Sequence, residues 1–279
     1  MLRTLCLSLA AALAAQATLP AHAATPPDSS LLTLDRIFAA GEFFSRPPGP
    51  FEWLDGGRAY TALERPEGGG GGREIVRYDA ATGARTVIVP ASRLTPAGAE
   101  APLMIERYSW SDDQTRLLIF TNSRRVWRQN TRGDYWVLGM TDGTLRKLGG
   151  PDAPPSSLMF AKFSPDGRRV AYVRGNNIYV EGVDGGNIVQ LTHDGSTTVI
   201  NGTFDWVYEE EFSLRDGFRW SPDGTQIAYW QLDAAAVRDF LLINDTDSLY
   251  SFTTPVQYPK VGTPLSSCRL GVVGASGGP

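Results

Sequence analysis

The sequence predicts an all-β fold, a β-propeller represented by about four four-stranded blades, and three observations carry that prediction. An aromatic, a turn rich in Asp and Gly, and a short apolar strand recur four times, with the aromatic at Trp53, Trp110, Phe163 and Trp220. A second Asp/Gly turn follows in each of the first three units. Gly and Pro number 30 and 19 among 279 residues, a supply of chain-reversing residues that suits many short antiparallel strands.

Taken in order, residues 1–23 have the layout of a cleaved secretory signal. Arg3 precedes an apolar, Ala-rich stretch over residues 5–13, and Ala21-His22-Ala23 is a small-x-small cleavage site. The stretch is too short to span a bilayer, so a mature chain without a membrane span is expected in the periplasm or outside the cell. Residues 24–50 form an N-terminal extension. Leu31, Leu32, Leu34, Ile37 and Phe38 suggest one short helix there, with Thr33 as its cap. Residues 51–279 carry the propeller pattern.

The four primary turns are Asp55-Gly56-Gly57, Ser111-Asp112-Asp113, Ser164-Pro165-Asp166-Gly167 and Ser221-Pro222-Asp223-Gly224. The secondary turns are Asp79-Ala80-Ala81-Thr82-Gly83, Thr141-Asp142-Gly143-Thr144 and Asp184-Gly185-Gly186. Two hairpins per unit give four antiparallel strands, one propeller blade, and a period near 55 residues fits that architecture. The run Gly68 to Gly72 reads as a flexible hairpin loop, since no Gly-Lys-Ser/Thr follows it to make a phosphate loop. After Trp230 the fourth unit is less regular, and Leu270-Gly271-Val272-Val273 reads as one further strand before a turn at Gly277.

Composition narrows the function. Lys and Arg total 26 against 30 Asp and Glu, a net charge of -4, which argues against nucleic acid as a partner. With 2 His and 2 Cys, neither a zinc site nor a disulfide framework is expected, and no cofactor is called for. His193 lies in a blade turn, the setting of a structural or solvated histidine.

One segment interrupts the strand pattern. Asp205-Trp206-Val207-Tyr208-Glu209-Glu210-Glu211 fits a short acidic helix inserted between blades, because consecutive glutamates favour helix over strand. On composition alone it is either a solvated acidic turn or a site for a cation such as a peptide α-ammonium, which two neighbouring carboxylates can satisfy through charge-assisted hydrogen bonds.

That string resembles the glutamate motif of the dipeptidyl peptidase IV family, within the prolyl oligopeptidase class of serine peptidases. Val126-Trp127-Arg128-Gln129-Asn130-Thr131-Arg132-Gly133-Asp134-Tyr135-Trp136, Ala171-Tyr172-Val173, Asn177-Ile178-Tyr179-Val180, Trp220-Ser221-Pro222-Asp223-Gly224 and Tyr258-Pro259-Lys260 are similar to it as well. The resemblance implies an eight-bladed propeller followed by an α/β-hydrolase domain. It implies removal of dipeptides from peptide N termini, with Pro or Ala favoured at the second residue. Glu210 and Glu211 would then hold the substrate ammonium, Glu209 would support them, and Arg128 would contact a substrate carbonyl. Members of the family are often dimers, so a homodimer is one expectation for the intact enzyme.

The hydrolase domain with its Ser, Asp and His is expected to be absent from this chain. Gly274-Ala275-Ser276-Gly277-Gly278 matches Gly-x-Ser-x-Gly but lacks the helix and downstream partners of a nucleophile elbow. Leu265-Ser266-Ser267-Cys268 stands where the family has an Asn-rich stretch. The chain is therefore expected to bind substrate without cleaving it, as the N-terminal part of a longer enzyme. The other reading is a self-contained periplasmic propeller that binds proteins, resembling the TolB-type modules with similar aromatic-Ser-Pro-Asp-Gly turns.

Overall fold

The primary turns of the second, third and fourth units fold alike because each is closed locally. In each the serine hydroxyl donates to the Asp two residues on, at 2.6 Å for Ser111–Asp113, Ser164–Asp166 and Ser221–Asp223. The serine N–H reaches the carbonyl five residues later, on Arg116, Arg169 and Gln226. The first turn has no serine. Asp55, at φ 54°, instead accepts from Arg77 and Gln114.

The computed structural model describes residues 30–44, 49–69 and 71–278, so the expected signal peptide lies outside the described residues. The chain divides into a unit over Met1–Pro47 and a second over Pro48–Pro279. In the first, the expected helix is a single π-helical turn, Asp35–Ala39. Thr33 Oγ1 accepts the Arg36 N–H at 3.2 Å, while Leu31, Leu32, Leu34 and Phe38 are exposed. An amphipathic run this short propagates only when its apolar face is packed.

The second unit holds the blades. Blade 1 is β1 (Phe51–Leu54), β2 (Ala59–Glu64), β3 (Glu74–Asp79) and β4 (Arg85–Val89), antiparallel in that order. Blade 2 is β5 (Ile105–Trp110), β6 (Arg116–Arg125), β7 (Asn130–Gly139) and β8 (Leu145–Lys147). Blade 3 is β9 (Leu158–Phe163), β10 (Arg169–Arg174), β11 (Asn177–Gly182) and β12 (Val189–Gln190). A short ladder, Arg132 with Met159 and Gly133 with Leu158, joins blades 2 and 3 into one hydrogen-bonded sheet. Gly133 is required there, since a Cβ would sit 2.4 Å from the Phe120 ring and 2.8 Å from the Thr121 carbonyl oxygen.

The fourth unit departs from the simple repeat. β13 (Val199–Asn201) pairs with the end of β15 (Gln226–Asp233), which also pairs with β14 (Phe218–Trp220) and β18 (Ser267–Gly274). Between β15 and β18 the chain makes a separate hairpin, β16 (Asp239–Asn244) with β17 (Phe252–Gln257). That insertion is why the repeat fades after Trp230 and returns at Leu270.

Face-to-face stacking of the blades explains the continuous apolar runs. In β6, Leu117 and Ile119 face a cluster shared with Leu63, Ile75 and Val89 of blade 1. Leu118 and Phe120 face the opposite way, against Leu158, Val170 and Tyr172 of blade 3. In β10, Val170 and Tyr172 join that second cluster, while Ala171 and Val173 turn to Phe218 and Ile227 of blade 4. Alternation directs successive residues to both faces, and both are covered. Each fully buried Leu, Ile or Val contributes about 1.5–3 kcal/mol. Polar ties reinforce the stack: Arg146 donates to Glu181 and the Val183 carbonyl, and Arg169 to the Gly224 carbonyl.

Candidate functional site

The acidic segment is carried on an excursion from blade 4. The chain leaves β13 at Gly202, returns at Gly217, and the two meet backbone to backbone, with the Gly217 N–H donating to the Gly202 carbonyl at 3.0 Å. A Cβ on Gly217 would lie 2.9 Å from the Gly202 carbonyl carbon, so glycine permits the approach. Between them lies α1 (Trp206–Phe212). Asp205 is its N-cap, with Oδ1 accepting the Tyr208 N–H at 3.1 Å. The other oxygen, Oδ2, accepts from Ser266 Oγ at 2.7 Å. Ser213 closes the helix in the left-handed region, at φ 57°. Phe204 and Tyr208 stack over a small core of Ile200 and Leu232, with Cys268 alongside, and Trp206 packs on Tyr258.

A helix turns about 100° per residue, so the three glutamates cannot share a face. The Glu209 side chain is 5% exposed and pairs with Arg215 Nε at 3.2 Å. Burial pushes the Glu209 carboxyl above its ordinary value, the Arg215 hydrogen bond and charge oppose this, and Glu210 adds to the rise. Glu210, 11% exposed, meets the Arg128 guanidinium, with Nε to Oε2 at 2.6 Å. Its other oxygen, Oε1, is buried and has no hydrogen-bond partner among the described residues. Glu211 is solvent-exposed.

Arg128 arrives from blade 2. The ten-residue strands β6 and β7 run beyond the body of the blade and end in a tight turn, closed by the Val126 N–H on the Gln129 carbonyl at 2.8 Å. Trp127 sits at that tip with φ 36°, a strained conformation for a bulky residue. The structure thus brings Arg128 and Glu210 together from separate blades and leaves Glu209 in a pair of its own. A cleft of about 570 Å³ lies beside them, its lining including Trp127, Arg132, Asn176, Trp206, Glu209 and Gln257.

The energetics are asymmetric. The Arg128 side chain is 75% exposed, so its ion pair is worth about 1 kcal/mol or less. A buried carboxylate oxygen without a donor costs roughly 1–3 kcal/mol. The arrangement is suited to a cationic N–H donor, which would satisfy Glu210 more fully than Arg128 alone. Among the described residues, no group of three His, Cys, Asp or Glu is placed to hold a metal, and no helix is long and apolar enough to cross a membrane. His193 is exposed and Cys268 is a free, half-buried thiol.

Sequence reasoning missed two residues that hold α1, Arg215 and Ser266. Arg215 had a faint signal as a lone basic residue just after the acidic run. Ser266 had none, because its contact with Asp205 is purely tertiary.

Residues 111–279 match the family model described as the dipeptidyl peptidase IV (DPP IV) N-terminal region. Dipeptidyl aminopeptidase B of Saccharomyces cerevisiae is 35% identical over 175 residues, covering 61% of this chain and 21% of the relative. A probable dipeptidyl-aminopeptidase B of Podospora anserina is 37% identical over 131 residues, covering 47% of this chain and 14% of the relative. The crystal structure of Porphyromonas gingivalis dipeptidyl peptidase 4 superposes with a TM-score of 0.76 at 30% identity, over 88% of this chain and 34% of that one. The chain thus spans about a fifth of the length of the first of these relatives and a third of the matched crystal structure.

Proposed function

Because this chain belongs to the dipeptidyl peptidase IV family through its N-terminal region, we propose that it is the substrate-recognising propeller part of an exported peptidase that releases N-terminal dipeptides, with Pro or Ala at the second position. Glu210 and Glu211 take the α-ammonium of the peptide, Glu209 supports them from behind, and Arg128 turns to a substrate carbonyl. The catalytic Ser, Asp and His belong to an α/β-hydrolase domain beyond this chain, and the intact enzyme is a homodimer. Holding the free amino end at a fixed distance from the nucleophile turns the propeller into a ruler that sets the length of the released product.

The observation that carries the reading is the Glu210 carboxylate, tied on one side to an exposed Arg128 and, on the other, buried without a donor among the described residues. An ammonium brings three N–H donors and a positive charge, and each charge-assisted bond is worth about 1.5–3 kcal/mol. Replacing Glu210 or Glu211 by Ala in the full-length enzyme is expected to lower kcat/KM on dipeptide substrates by 10-fold to 100-fold or more, with folding retained. Unchanged kinetics in both variants would remove the assignment.

A further inference from the structure

Among the described residues Arg215 is the one cation paired with Glu209, and it does more than balance charge. Its Nε donates to Glu209 Oε1 at 3.2 Å, and its Nη1 donates to the carbonyl of Ser213, the left-handed residue that ends α1, at 3.3 Å. Its own carbonyl accepts from Thr203 Oγ1 at 2.9 Å, on the other strand of the excursion. The Arg215 side chain therefore joins the buried glutamate to the C-terminal cap, and its backbone ties both to the neck that carries the helix.

Resting on the reading above, we infer that Arg215 is a positioning residue of the amine site. By pairing with Glu209 at the cleft wall and fixing the end of α1, it keeps that carboxylate away from the Arg128–Glu210 pair and holds the helical rotation that presents Glu210 and Glu211. Without it the Glu209 carboxylate is buried and unpaired. It then leaves the interior and unwinds the last helical turn, or it turns to Arg128 and competes for the cation that Glu210 now holds. A buried charge deprived of its partner is the strongly destabilised case, and Glu210 and Glu211 are the next two residues on the same turn.

The test is calorimetric binding of alanyl-prolinamide, with N-acetyl-alanyl-prolinamide as control, to the full chain and its variants, with far-UV circular dichroism and thermal melts recorded in parallel. The wild type is expected to bind the free amine and not the acetylated form. Arg215→Met should weaken binding of the free amine about 10-fold, and Arg215→Lys, which keeps a positive charge beside Glu209, should recover most of that loss. A role in folding alone would lower the melting temperature of Arg215→Met while leaving its affinity for the free amine at the wild-type value, and that result overturns the inference, as does Arg215→Lys binding as weakly as Arg215→Met. If Arg215→Met does not fold, Arg215→Gln replaces it: a loss of about 10-fold that Arg215→Lys does not share supports the inference, and equal affinity in the two variants overturns it. Wild-type protein that binds the free and acetylated forms equally refutes the amine site itself.

Discussion

Replacing Glu181 by Ala is expected to be among the most damaging single changes in the blades. Glu181 lies in β11 and is fully buried. Its carboxylate accepts from Arg146 Nη2 at 2.9 Å, from the Gly149 N–H at 2.8 Å and from the Tyr172 hydroxyl at 2.8 Å. These donors come from β8, the turn that follows it, and β10, so one side chain ties blade 2 to blade 3. Arg146 keeps the carbonyls of Gly182 and Val183 as acceptors after the change. Among the described residues the Gly149 N–H and the Tyr172 hydroxyl do not have such a reserve. Burial, with the Glu181 charge behind it, pushes Tyr172 far above the ordinary tyrosine range, so the phenol cannot relieve the loss by ionising. Two buried donors left without acceptors cost roughly 1–3 kcal/mol each, and the vacated space adds to this, for a total of about 3–5 kcal/mol. Domains of this kind have about 5–15 kcal/mol in all. Urea unfolding followed by tryptophan fluorescence should show the midpoint falling with little change in slope. Glu181→Gln, which keeps an acceptor of the same shape, should lose clearly less. A loss below about 1 kcal/mol in Glu181→Ala would refute the argument that these bonds hold the two blades together.

Other outcomes follow from single contacts. Lys162 is half-buried, with its ammonium held against Asp216 and the Phe218 ring, and desolvation lowers its amine to about 8 despite the opposing pull of Asp216. The unfolded chain therefore holds this proton more tightly between pH 8 and 10.5, so the Lys162 contribution to stability rises with pH across that window, by about 3 kcal/mol. Subtracting the pH–stability curve of Lys162→Met from that of the wild type should reveal the rise, and a flat difference would count against it. Gly133→Ala should destabilise by about 1–3 kcal/mol, because its Cβ meets Phe120 and the Thr121 carbonyl; thermal melts report this. Asp205→Ala removes the cap of α1 and the acceptor of Ser266. It should cost about 1–2 kcal/mol, with faster amide exchange confined to α1 if the helix is held as described.

The parts of the fold that were legible in the sequence are those closed within a few residues. The Ser–Asp turns announce themselves because donor and acceptor are two residues apart, and the double-sided burial of β6 and β10 is written as unbroken apolar runs. The β16–β17 hairpin was not legible. It forms a sheet of its own, carries Pro255 inside β17 and leaves Leu241 and Ile243 exposed, so it offers neither the repeat turn nor a clean alternation. In the site, α1 was visible as a run of helix formers behind an Asp cap. The sequence suggested neighbouring carboxylates, but the helical turn sends Glu209 to Arg215, Glu210 to Arg128 and Glu211 to solvent. Partners such as Arg215 and Ser266 depend on where the chain returns after a long detour, and adjacency in sequence carries no trace of that.

The glycine pair at positions 202 and 217 has an effect beyond steric accommodation. Because the two backbones touch there, the excursion leaves blade 4 through a stalk of fixed width. The outer side of the excursion, where Glu211, Phe212 and Leu214 are exposed, can therefore be recharged or exchanged while the β14–β15 ladder stays in register, provided that Phe204, Asp205 and Asp216 keep their contacts with Trp230, Ser266 and Lys162.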